Sequence, residues 1–113
     1  MHPDLDRTLA ALADPSRRAI VQLLLGQPRR PSEVADELAM SRPAMSRHLR
    51  VLRTAGLIQQ ATLDSDARVR LLQLRKPPFT QLRAWLEDVE SFWGEQLEAF
   101  KAHAERSTKR ARR

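Results

Sequence analysis

Arg42, Arg47 and Arg50 stand within nine residues of one another, interleaved with Ser41, Pro43, Ser46 and His48. A guanidinium offers a planar fork of donors that matches either the O6/N7 edge of guanine or a phosphate. A hydroxyl adds a further donor to phosphate. These residue types suit recognition of a polyanion, and they lack the pairing that covalent chemistry needs. The chain has no Cys and no Tyr. It has no glycine-rich phosphate loop, and none of its histidines is matched with an Asp and a Ser, so an enzyme is not expected and no cofactor is implied. Thiolate metal chemistry is excluded. His2 and His103 lie near the termini, and Glu98 and His103 are five apart, a poor spacing for one helix face. No metal site is therefore expected.

The elements that must hold these side chains follow from the same stretch. Met45, Leu49 and Leu52 fall at i, i+4 and i+7 and predict one buried helix face. Ser41 can cap that helix, Pro43 is tolerated in its first turn, and Gly56 supplies the left-handed residue that often ends one. Side chains near the start of such a helix reach bases, so Arg42 and Arg47 are the base-contact candidates, with Pro43 against a thymine methyl. Ser46 and Arg50 suit phosphate, as do the amides at the helix start beside Ser41. His48 sits on the flank between the apolar seam and the arginine face, where a packed structural role is open to it.

Around this helix the chain reads in order. Leu5, Leu9 and Leu12 mark a short helix closed by Asp14-Pro15, which also opens the next, with Ile20, Leu23 and Leu24 inward. Pro31 opens a helix over Ser32 to Ala39, and Met40-Ser41 is the turn before the arginine helix. Two short runs, Ile58 to Leu63 and Arg68 to Leu74, flank Asp64-Ser65-Asp66-Ala67 and predict a hairpin with Arg68 and Arg70 near its tip. Pro77-Pro78 breaks the chain before a last helix. Along it Phe79, Leu82, Trp85, Leu86, Val89, Phe92, Trp93, Leu97 and Phe100 form an apolar stripe. Residues 101–113 are dominated by charge and are expected to be a basic, flexible tail following one domain over residues 1–100.

The chain has 113 residues, with 20 Lys and Arg against 14 Asp and Glu, a formal charge of +6. That excess favours nucleic acid ahead of a membrane surface. No apolar run approaches the roughly 20 residues of a membrane span, and the first ten residues lack a basic-then-apolar leader. A soluble, cytoplasmic protein with no membrane partner is expected.

Helices, a helix-turn-helix, a hairpin and a terminal helix make a mainly α chain with a small β-hairpin, the layout of a winged helix-turn-helix. The runs ALADPSRRAIVQLLL, SEVADELAMSRPAMSRHLRVLRTAGLI and RVRLLQL resemble the ArsR-type (ArsR/SmtB) winged-helix transcriptional repressors of bacteria. The most specific pieces are Ala13-Asp14-Pro15 with Arg17, the spacing Ser46-x-His48-Leu49-x-x-Leu52, and Ala55-Gly56-Leu57. The resemblance implies a homodimer, a pseudo-palindromic operator in double-stranded DNA, and the helix from Ser41 to Thr54 in the major groove. It also implies contact of His48 with a DNA backbone, as the alternative to a packed structural role. It identifies Arg68 and Arg70 with a wing that could follow a minor groove, whose narrow form attracts arginine. The dimer it implies would pair Leu82, Trp85, Leu86, Val89, Phe92 and Trp93 with the partner's terminal helix and with Leu5, Leu9 and Leu12. The absence of cysteine departs from the metal-sensing members. An unidentified small-molecule effector and ligand-free repression are both compatible with the residues. The alternative function is a sequence-independent architectural DNA-binding protein.

Overall fold

Proline punctuates this fold. Pro3, Pro15, Pro31 and Pro43 each occupy the first or second position of a helix, where the missing N–H has no intrahelical acceptor to satisfy. The computed structural model describes residues 2–63 and 65–111. Its elements are α1 (Pro3–Leu12), α2 (Pro15–Leu24), α3 (Pro31–Glu37), α4 (Arg42–Thr54), β1 (Ile58–Leu63), β2 (Asp66–Leu74) and α5 (Lys76–Ala111). Asp64 of the expected turn and Arg112-Arg113 of the expected tail lie outside the described residues.

The chain divides into two units, residues 1–81 and 82–113, and the division falls inside α5. The first unit holds the core. Ile20 and Leu24 from α2, Val34 from α3, and Met45, Leu49 and Leu52 from α4 are buried together with Leu57, Ile58 and Leu72. Phe79, in the first turn of α5, packs against this cluster. Met45, Leu49 and Leu52 are thus the inward face that their spacing predicts.

Two turns place α4. Asp14 caps α2, accepting from the Ser16 N–H at 2.7 Å and the Arg17 N–H at 3.3 Å. Arg17 reaches back and donates through Nε to the Ala11 carbonyl at 2.6 Å, while Arg18 donates to Leu12 and Ala13. Both arginines satisfy carbonyls that the end of α1 leaves open. The second turn ends α3 at Glu37, two residues before the expected Ala39. Ala39 itself adopts φ 53°, and the Met40 N–H bonds the Ala35 carbonyl at 2.9 Å while the Ala39 N–H bonds that of Asp36 at 3.2 Å. That pair of bonds is a Schellman ending with alanine in the position glycine usually takes. Ser41 then caps α4, its Oγ accepting from the Ala44 N–H at 3.3 Å.

α4 ends in the same way. Gly56 has φ 78°, with the Gly56 N–H on the Arg53 carbonyl and the Leu57 N–H on that of Leu52, both 2.9 Å. The hairpin is antiparallel and runs in register from Ile58↔Leu74 to Thr62↔Arg70, then slips to Leu63↔Asp66. Residues 67–69 are left between those last two partners, so β2 begins at Asp66, earlier than the expected Arg68. Asp66 Oδ1 accepts from the Arg68 N–H at 3.0 Å, a side-chain turn that stands in for glycine. A single bridge joins Arg29, between α2 and α3, to Leu72 of β2, with N–H···O distances of 3.1 and 2.7 Å.

α5 begins at Lys76 and takes Pro77 and Pro78 into its first turn, so they open the helix where a break before it was expected. It continues as helix to Ala111. The segment from Lys101 has no apolar face, but Ala, Glu, Lys and Arg are strong helix formers, and propensity extends the helix where periodicity gives no signal.

Candidate nucleic-acid interface

The candidate surface is built on a helix whose back is fixed. At the helical step of about 100° per residue, Pro43 and Arg47 point opposite the seam of Met45, Leu49 and Leu52. Ser46 and Arg50 lie between that direction and the flank carrying Arg42; His48 lies on the other flank. Ser41, Arg42, Pro43, Ser46, Arg47 and Arg50 are exposed. Among the described residues none of Arg42, Arg47 and Arg50 enters an ion pair. Three guanidiniums therefore face solvent with their donors uncommitted, on a helix of 13 residues. Such a helix is about 20 Å long and fits a major groove about 12 Å wide. Val51, exposed at 39 % on the same outward side, was not singled out in the sequence. Its place follows only from the helical step, one residue at a time.

His48 is half-buried, and its charge bears on Asp14. Burial pushes the Asp14 carboxyl up, but the amides of Arg17 and Ser16, with the charges of Arg17 and His48, together hold it below its ordinary value. Arg17 also pairs with Asp14 at 3.8 Å. The capping residue of α2 thus connects electrostatically to the flank of α4.

Arg68 and Arg70 are exposed on β2. Arg68 Nε approaches Asp66 Oδ1 at 3.3 Å, whereas Arg70 enters no ion pair among the described residues. Arg68 falls in the stretch where the hairpin register slips, a feature that re-aims side chains. The wing and α4 both belong to the unit of residues 1–81.

The residues expected at a dimer interface divide. Leu5 is buried within the single chain at 7 % exposure, Leu12 packs against the core, and Leu9 is exposed. Within residues 82–113, Leu82 and Val89 are half-buried, while Trp85, Leu86, Phe92, Trp93, Leu97 and Phe100 are exposed. Phe92 and Trp93 meet edge-to-face, their ring centroids 5.9 Å apart. Among the described residues no group of three or more His, Asp or Glu is placed to hold a metal ion, and no helix is long and apolar enough to cross a membrane.

Comparison with known proteins places this geometry. Residues 14–60 match the family described as "Bacterial regulatory protein, arsR family", a span from the α2 cap through α4 into β1. The HTH-type transcriptional regulator Rv2034 of Mycobacterium tuberculosis is 41% identical over 95 residues, covering 84% of this chain and 83% of that protein. The transcriptional repressor SdpR of Bacillus subtilis is 33% identical over 54 residues, 48% of this chain and 60% of that protein. Among solved structures, the ArsR family transcriptional regulator RHA00566 superposes with a TM-score of 0.70 at 34% identity, covering 80% of this chain and 97% of that one. The spacing of caps, seam and wing and the extent of these matches agree, and the chain belongs to the ArsR family of winged helix-turn-helix transcriptional regulators.

Proposed function

We propose that this protein is a cytoplasmic repressor that binds a pseudo-palindromic operator as a homodimer, with one α4 in each of two successive major grooves. The observation that carries the reading is the outward face of α4, where Arg42, Arg47 and Arg50 are exposed and unpaired among the described residues. Arg47 reads a base edge, with Arg42 and Pro43 near the helix start reaching bases beside it. Ser46, Arg50 and the amides that begin α4 hold phosphates, which fix register without reading sequence. His48 contributes from the flank of the helix.

The exposed Trp85, Leu86, Phe92, Trp93, Leu97 and Phe100 support the dimer. A monomer rarely leaves so many large apolar side chains together in water, and a second copy with the same stripe covers them. From α1, Leu9 is the exposed leucine available to such a contact, because Leu5 is already buried in one chain. A dimer sets two copies of α4 about 34 Å apart, one turn of DNA. Repression then follows from occupancy of the operator.

Selection from a random DNA pool tests this reading. An enriched inverted repeat supports it; recovery of DNA without sequence preference would support the architectural alternative.

A further inference from the structure

We infer that the cleft between the segment entering α3 and the wing is a seat for one DNA backbone phosphate, with Arg30 and Arg70 as its two cationic jaws. This rests on the DNA-binding reading above and extends the footprint to residues outside the recognition helix. The cleft has a volume of about 310 Å3 and is lined by Arg30, Pro31, Ser32, Arg68, Val69 and Arg70.

The bridge from Arg29 to Leu72 makes this juxtaposition. Its two backbone bonds dock the chain entering α3 alongside β2. In an antiparallel pairing, residues after 29 run beside residues before 72, so Arg30 to Ser32 lie against the stretch that carries Arg68 and Arg70. Arg29 itself is committed, its Nε donating to the Leu23 carbonyl at 2.9 Å, which steadies the segment from the other side.

Arg30, Arg68, Arg70 and Ser32 thus line one small, open cleft. Two carboxylates lie near them. Glu33 Oε1 is 3.8 Å from Arg30 Nε with both side chains 54% exposed, and Asp66 Oδ1 is 3.3 Å from Arg68 Nε. The longer, exposed pair is weak enough for a phosphate to displace, and Arg70 has no carboxylate to leave among the described residues. The lining arginines offer donors in the forked form that fits a phosphodiester oxygen. In this seat Arg70 grips the backbone.

The test uses the intact protein, the selected operator and a random duplex of equal length, titrated over a series of salt concentrations. Arg30→Ala and Arg70→Ala should each weaken both complexes by the same factor, about tenfold. Each should also lower the slope of log affinity against log salt by up to about 1. Because both jaws hold one phosphate, the double variant should lose less than the product of the two single losses. Arg30→Lys should restore most of the salt slope, which a variant weakened only by misfolding would not. An unchanged slope for Arg30→Ala, a loss confined to the operator, or fully multiplicative losses would overturn the seat. Wild-type protein that binds neither duplex would instead contradict the DNA-binding reading on which the seat rests.

Discussion

Arg47 projects from the middle of α4 away from the seam that anchors the helix, and base preference should turn on it. Arg47→Ala is expected to cost about 1–3 kcal/mol on the operator and to relax preference at one base position. Affinity measured on operator variants checks this; an equal loss on operator and random DNA would make Arg47 a phosphate contact. Asp14 carries a different prediction. Its carboxyl is held below its ordinary value in the folded chain, so the folded state binds fewer protons than the unfolded one as the group titrates. The stability it contributes is present above the unfolded carboxylate value and is lost as pH falls through the lower folded value. Asp14→Asn keeps a capping oxygen but removes the titration. Urea denaturation should therefore show a shallower loss of stability for the variant over that acidic window. Identical pH profiles for variant and wild type would remove the claim.

At the scale of elements, the two Schellman endings make opposite predictions. Ala39 occupies left-handed space at φ 53° without being glycine. Ala39→Gly should raise stability by about 0.5–1 kcal/mol, since relief of the left-handed strain exceeds glycine's extra unfolded entropy. Gly56 occupies the same kind of position at φ 78°, and an added Cβ would stand 3.0 Å from the Arg75 Nη1 that donates to the Gly56 carbonyl at 2.9 Å. Gly56→Ala should lower stability by roughly 1 kcal/mol or more, through strain and a disturbed bond. Chemical denaturation of the pair reads both; a shift of the same sign in each would contradict the assignment.

These endings also show what local sequence could reveal. Asp14-Pro15, Ser41 and Gly56 are legible because each acts within a few residues on a helix end. The Met45, Leu49 and Leu52 seam is legible because its period is the helix period. The stop of α3 at Glu37 was hidden because alanine gives no sign of a left-handed turn. The start of β2 at Asp66 was hidden because an Asp side chain performs the turn without glycine. The cleft beside Arg30 depends on the pairing of Arg29 with Leu72, and no pattern within either segment marks a contact so distant in sequence.

At the scale of the whole molecule, the exposed aromatic stripe of α5 is the surface that a second copy covers. In the proposed dimer, Trp93→Glu places a charge in the apolar contact and should shift the protein to monomers. Operator affinity should fall by far more than one added charge would cause, because each complex keeps only one α4. Sedimentation checks the first effect, and an intact dimer for this variant would remove the interface claim. Loss of the dimer should leave the fold of residues 1–81 in place, since their core closes on itself through Ile20, Leu52, Leu57 and Leu72.

In the proposed complex α4 reads DNA sequence two copies at a time, and selection from a random DNA pool followed by affinity measurement decides whether it does. An inverted repeat with half-sites about 10–10.5 base pairs apart should emerge, bound at least ~10³-fold more tightly than random duplex at physiological salt. Equal affinity for selected and random DNA would contradict it.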